Sequence, residues 1–303
     1  MPLKPTRAII PIVWGIVCLF AACGHSGKQT GTQAGNDTVT DDYGRTVVIP
    51  AHPQRVVSLS HAVTEIMFAL GADDVLVGRT DFCTYPQEAE SIPSIGGISN
   101  LNIESILALS PDLVISGSMV GKKVTDQMDQ MGTPMVCVIE KPRFEALYDN
   151  IRAIGRLVGK EKEADSLVES LKWKVERLLA DTSLSTFNSQ LSTCYYVVGF
   201  GPTGNFTAGG NTFINDIIRM AGGRNIAEEV EGWNYSLEAL MQENPDYIIV
   251  RREDSAAFCG MKPYNTLDAV RKGHVIGIVS GTLDLQVPRN IDAILYLRQR
   301  MSE

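Results

Sequence analysis

Two glutamates stand out by position. Glu104 and Glu238 each precede a Pro-Asp pair by seven residues, Pro111-Asp112 and Pro245-Asp246, and each pair opens directly into an apolar run. Either carboxylate alone would be a solvated charge of little energetic worth. At matched positions of a repeated unit, however, the two could register a two-part protein on a two-fold symmetric, cationic partner. Cations close two other apolar runs: Arg79 follows residues 75–78, and Arg251-Arg252 follow residues 247–250. Ligands of open parallel sheets gather at the carboxyl ends of strands, so these guanidiniums are placed to meet an anionic group. Trp233, set between Gly232 and Asn234, reads as a loop residue rather than a core one.

Catalysis has little foothold. The four histidines (His25, His52, His61, His274) include no pair with metal-ligand spacing. The sequence has no Gly-x-Ser-x-Gly elbow, P-loop or dinucleotide fingerprint. Gly199-Phe-Gly201-Pro-Thr-Gly204 is glycine-rich, but Pro202 and the missing lysine make it a turn. His61 heads a helical pattern and is expected to cap it or pack against it. The net charge of −8 excludes a nucleic-acid surface, which needs clustered Lys and Arg. Of the six cysteines, Cys137 and Cys194 lie in strand-like runs as small hydrophobes. Cys83 and Cys259 sit in loop-like contexts, where an oxidising compartment would allow a disulfide.

The chain begins with an export signature. Lys4 and Arg7 precede an apolar core over residues 9–20, too short to span a bilayer. The core ends in Leu19-Phe20-Ala21-Ala22-Cys23, which resembles the lipobox of bacterial lipoproteins, whose cysteine is acylated and becomes the new N-terminus. We therefore expect a signal peptide over 1–22, lipidation of Cys23, and a flexible Gly-rich tether over 23–40.

From residue 41 the pattern is α/β. A hairpin around Asp42-Tyr43-Gly44 leads into alternating short strands and helices, an N-terminal lobe over 41–158. Residues 161–179 carry an apolar stripe (Ala164, Leu167, Leu171, Val175, Leu178, Leu179) with charges opposite, predicting one long bridging helix within 159–182. A C-terminal lobe over 183–303 then repeats the first. Besides the Glu–Pro-Asp echo, Thr64-Glu65 to Gly71 matches Asn215-Asp216 to Gly222, a helix closed by glycine. The expected fold is two doubly wound α/β lobes joined by a single long helix.

Several motifs in register carry a family resemblance across almost the whole mature chain. They are Arg55-Val-Val-Ser-Leu-Ser60 with Thr64-Glu65, Val77-Gly78 through Phe82 to Tyr85-Pro86, and Asn102-Ile-Glu104 with Leu109-Ser-Pro111-Asp112. In the second half Phe206-Thr207-Ala208-Gly209, Ala221-Gly222-Gly223, residues 233–238 and Pro288-Arg289 continue the order. The chain resembles the substrate-binding proteins of ABC importers for metal chelates, and most of all their cobalamin-binding members. The resemblance implies capture of a cobalamin-like chelate in an inter-lobe cleft by a monomer held at a membrane through a lipid anchor. Ferric siderophore or haem binding by the same fold is the alternative, and a chelatase-like enzyme is the rival from another class. It further implies that Glu104 and Glu238 dock to arginines of the importer's transmembrane subunits, and that Phe82, Phe206 and Trp233 line the cleft with Tyr85 and Tyr235 nearby. Arg251 and Arg252 become candidates for an anionic ligand group. No resident cofactor is expected, the ligand bringing its own cobalt or iron. Where cobalamin-binding members have a further cleft tryptophan this sequence offers Ile98, and Asp284 is the acid nearest an expected acidic position.

Overall fold

Strands β1 (Asn36–Thr40) and β2 (Thr46–Pro50) pair antiparallel, with Asn36 opposite Pro50. The alternation in β2 turns Val47 and Ile49 into the core and leaves the intervening Val48 exposed. Gly44, at φ 73°, makes the turn, and the buried Asp41 carboxylate holds it by accepting from the Tyr43 and Arg45 amides and pairing with the Arg45 guanidinium at 2.7 Å. The structure, a computed structural model, describes residues 36–98, 101–180 and 191–302. The signal segment and Cys23 lie outside them. Residues 36–40, expected as the end of a tether, are instead β1, because the antiparallel ladder to β2 takes up their backbone groups.

Two four-stranded parallel sheets follow within one compact unit. The first holds β3 (Val56–Ser58), β4 (Leu76–Arg79), β5 (Leu113–Ser116) and β6 (Met135–Cys137), in the order β4-β3-β5-β6. The second holds β7 (Ser192–Val197), β8 (Gly223–Asn225), β9 (Tyr247–Arg251) and β10 (Val275–Ile278), in the order β8-β7-β9-β10. Numbered within each sheet, both orders read 2-1-3-4. Residues such as Val56, Val57, Val114, Ile248 and Ile249 are fully buried, as expected of parallel strands covered on both faces.

The repeat extends to its details. Helix α1 (His61–Ala69) follows β3, and α2 (Ile103–Ala108) and α3 (Lys122–Gln130) flank β5. In the second lobe α6 (Phe213–Met220) corresponds to α1 and α7 (Leu237–Glu243) to α2. After α2 and α7 the chain leaves the helix through a left-handed residue, Ser110 (φ 46°) and Asn244 (φ 43°), and the proline that follows each prevents the helix from continuing. The next aspartate then straps the lobe's first strand. Asp112 accepts from the Gln54 and Arg55 amides at 2.7 and 2.9 Å, and Asp246 from the Thr193 amide at 2.8 Å. This is what fixes Pro-Asp at both places.

Between the sheets run α4 (Ala146–Leu157) and α5 (Glu161–Ala180). At about 1.5 Å per residue the 20 residues of α5 span nearly 30 Å. Its buried face is Ala164, Val168, Leu171 and Leu178, whereas Leu179, expected in the stripe, is exposed. The two helices cross closely because Gly155 leaves room for Ala164, whose Cβ would lie 2.5 Å from a Cβ at residue 155. Helix α5 packs on α4 and on α10 (Asn290–Ser302), and its buried residues share one core with side chains of both sheets. Helices α8 (Arg252–Gly260) and α9 (Asp268–Lys272) complete the second lobe. Cys83 and Cys259 are free thiols rather than a disulfide: Cys83 is buried against Thr80 in the first lobe, and Cys259 packs on the core of the second.

Direct bonds join the lobes in a reciprocal way. Glu65 on α1 accepts two hydrogen bonds of 3.0 Å from Arg289 Nε, just before α10. Asp216, at the matching position of α6, accepts from the Phe144 amide, just before α4, at 3.0 Å. Gln286 donates to the Lys141 and Arg143 carbonyls at 2.8 Å and accepts from the Lys141 amide.

Candidate functional site

A cavity of about 340 Å³ opens between the two lobes at the carboxyl ends of their strands. Its N-terminal wall is built from the segments after β3 (Ser60, His61), β5 (Ser118, Met119) and β6 (Glu140). Strands β3 and β5 are where the sheet order reverses, the point at which open α/β sheets hold ligands. The C-terminal wall adds Thr212 and Phe213 at the start of α6, Trp233, and Asp284 after β10.

Trp233 lines this cavity and keeps 46% of its surface exposed. Its loop is laid against the 206–210 segment by backbone bonds: Thr207 N–H donates to the Trp233 carbonyl at 2.8 Å, Gly209 to Gly232 and Gly210 to Val230 at 2.9 Å. That approach needs glycine. A Cβ at residue 210 would lie 1.8 Å from the Glu228 carbonyl oxygen, and one at 209 would lie 2.2 Å from that of Val230. Gly210→Ala is therefore expected to displace the Trp233 loop and destabilise the protein by several kcal/mol, about 3 at least, read as a lowered melting temperature and a shifted indole emission. An unchanged emission maximum and melting temperature would contradict this.

The other candidates divide. Phe206 is half-buried and bridges to Gly199 and Asn234 beside the Trp233 loop, but it is not among the residues that line the cavity. Phe82 is 57% exposed, and its ring lies 5.7 Å from that of His61, which lines the cavity. Tyr85 goes elsewhere. The Arg289 guanidinium covers its ring at 4.3 Å, and it lines a separate cavity of about 360 Å³ with Glu65, Phe68 and Leu167. Tyr235 packs at 5.7 Å from Tyr195 in the second-lobe core and donates to the Ile226 carbonyl, so its ring serves packing.

The arginines are occupied by the protein itself. Arg251 pairs with Asp254 at 2.7 Å, and Arg252 donates to the Gly277 carbonyl at 3.3 Å. Because α8 starts directly after β9, both side chains are drawn to its first turn and to β10, and neither lines the cavity. The Arg79 guanidinium is buried and donates to the carbonyls of Ala89, Thr80 and Glu90.

Composition and spacing drew no attention to Glu140 or Ser118, which share a 2.8 Å hydrogen bond on the cavity wall. Asp284, noted only for its position in the chain, lines the cavity and accepts from the Tyr196 hydroxyl, whose ionisation burial pushes well up. Ile98 also lines it. The His61 imidazole is shifted downward by burial, with Glu140 opposing, and its Nε2 is enclosed without a hydrogen-bond partner.

Glu104 and Glu238 are both exposed and both occupy the second position of their helices. Asn102 caps α2 by accepting from the Ser105 amide, and Ser236 caps α7 by accepting from the Ala239 amide. The two carboxylates are thus equivalent positions of the repeated unit, each favoured by the positive end of its helix.

Residues 56–280 match the family model described as periplasmic binding protein, from the first strand of one sheet to just past the last strand of the other. The chain belongs to the periplasmic binding protein family. It is 27% identical to the uncharacterized ABC transporter substrate-binding lipoprotein YvrC of Bacillus subtilis (strain 168), over 95% of each chain. It is also 27% identical to a cobalamin-binding protein of Halobacterium salinarum, over 84% of this chain and 71% of the other. Among solved structures, a periplasmic heme binding protein from Pseudomonas aeruginosa superposes with a TM-score of 0.73 at 27% identity, covering 81% of this chain and 91% of that one. As a periplasmic binding protein, this chain has the expected pairing of lobes around a cleft. Among its described residues no helix is long and apolar enough to cross a membrane.

Proposed function

We propose that this protein is the extracytoplasmic capture component of an ABC importer, which takes a metal chelate into the inter-lobe cleft and hands it to the membrane permease. The cargo we favour is cobalamin or another corrinoid, which brings its own cobalt, so that the protein itself needs no resident cofactor. The observation that carries the reading is the cavity between two topologically matching lobes with the Trp233 indole on its wall. A flat macrocycle is held mainly by ring faces and buried area, with few polar contacts fixing its orientation. Phe82 and Phe206 offer further faces close by. The names of the Bacillus and Halobacterium relatives support importer and cargo respectively. The heme binding protein from Pseudomonas aeruginosa favours a second reading, haem or a ferric siderophore in the same cleft.

In this reading residues 1–22 direct export, Cys23 carries the lipid, and the mature protein works as a monomer at a membrane surface. Glu104 and Glu238 dock on permease arginines, one from each lobe, in keeping with their matched places in the fold.

Tryptophan emission tests the capture step. Trp14 belongs to the signal segment and Trp173 is exposed on α5, so Trp173→Phe leaves Trp233 as the mature chain's reporter. Cobalamin is expected to quench it saturably. Trp233→Ala, followed by cobalamin absorbance in equilibrium dialysis, should weaken affinity by about 2 kcal/mol, roughly thirtyfold. Unchanged affinity in that variant would take Trp233 out of the site.

A further inference from the structure

The cleft carries two acidic side chains that ring-face capture does not use. Glu140 lies on the N-terminal wall, hydrogen-bonded to Ser118, and Asp284 on the C-terminal wall, hydrogen-bonded to Tyr196. Lys141, the lysine on this wall, is already paired with Asp42 at 3.1 Å, and Arg251 near Asp284 is paired with Asp254. Charge on the cavity wall is therefore weighted towards the negative. Beside Glu140, His61 holds its Nε2 enclosed and unpartnered. A buried polar atom without a partner is rare in folded proteins and calls for an explanation.

The chemistry of the two groups is complementary. A carboxylate only accepts hydrogen bonds, whereas a neutral imidazole carries one N–H donor. His61 lines the cavity, and rotation of its ring about Cβ–Cγ, a torsion with broad wells, would bring a ring nitrogen to face the ligand. The pair can then accept from an amide NH₂ and donate to its C=O, which is the pattern of a primary carboxamide. A carboxylate on the ligand would instead meet Glu140 as a like charge in a partly desolvated site, which costs affinity.

Resting on the reading that the cleft captures a metal chelate, we propose that Glu140 and His61 form a corner that selects ligands rimmed by primary carboxamides over ligands rimmed by carboxylates. Among flat tetrapyrroles, this favours the amide-rimmed corrin over the carboxylate-rimmed porphyrin. Glu140 is the specificity-determining residue, and Asp284 opposes anionic groups from the facing lobe.

The test compares cyanocobalamin with each of its monocarboxylic acids, in which one side-chain amide is hydrolysed, on the wild-type protein and on Glu140→Gln. Haemin serves as a dianionic control, and far-UV circular dichroism confirms that the variant is folded. At least one acid is expected to bind the wild type about tenfold or more weakly than the parent, and to recover to within about threefold in Glu140→Gln. His61→Ala should weaken the parent corrinoid while leaving that acid little changed. If every acid binds like the parent, or if the loss persists in Glu140→Gln, the corner is overturned while corrinoid capture stands. If haemin binds and no corrinoid does, the corner and the corrinoid reading fall together.

Discussion

A chain carrying Glu104→Arg and Glu238→Arg together should bind its chelate normally and fail to deliver it. Both carboxylates are exposed and sit at equivalent first-turn positions of duplicated helices. Reversing them gives up a favourable charge at each helix N-terminus and should cost about 1 kcal/mol per site, leaving the fold intact. On the docking to permease arginines proposed above, two reversed charges would meet cations at once, and like-charge juxtaposition costs several kcal/mol, about 3 or more. We expect uptake in reconstituted vesicles to fall by at least about a hundredfold with ligand affinity unchanged. Either single reversal should give an intermediate loss. Undiminished transport by the double variant would show that the importer reads another surface.

The second large effect is on stability and concerns the link between the lobes. Glu65 is only 5% exposed, and burial raises its carboxyl to about 7, with the Arg289 charge and hydrogen bonds opposing that rise. Between about pH 4.5 and about 7 the native state thus keeps a proton that the unfolded chain has released. The stability this contributes is fully present below about pH 4.5 and is lost as the pH rises through about 7. In Arg289→Ala nothing offsets the buried carboxylate. We expect a loss of about 3 kcal/mol at pH 8, the lower end for a broken buried pair because Glu65 can take up a proton. At pH 5, where Glu65 is protonated with or without its partner, the loss should be smaller. Denaturant unfolding at the two pH values measures both, and an equal loss at each would contradict the linkage.

Much of the architecture could be read from residue order because it is written twice. The Pro-Asp pairs at 111–112 and 245–246 have a local cause, a left-handed residue followed by an aspartate strapping the first strand, and local causes leave sequence signals. The same holds for the alternation of strands and helices and for the face of α5. Strand β8, three residues reading Gly-Arg-Asn, has no apolar pattern and exists because β7 supplies its ladder. Helix α9, five residues long, is too short to show a periodic stripe.

The site was harder, because its membership depends on tertiary packing. Tyr85 and Trp233 are both exposed aromatics, yet an arginine from 204 positions later covers the first ring, which lines a separate cavity. Arg79, Arg251 and Arg252 follow strands as binding cations would, but backbone carbonyls and a neighbouring aspartate already satisfy them. Glu140 follows a strand without any motif, and only the folded chain brings it to His61 and Ser118.

Calorimetric titration of the full mature chain with cyanocobalamin, haemin and a ferric hydroxamate bears on all of this at once. Saturable one-to-one binding of cyanocobalamin, tighter than that of the other two and weakened in Trp233→Ala, is the expected result. Saturable binding of haemin or the hydroxamate without binding of cyanocobalamin would contradict corrinoid capture, and equal affinity in the presence and absence of the Trp233 indole would take that ring out of the site.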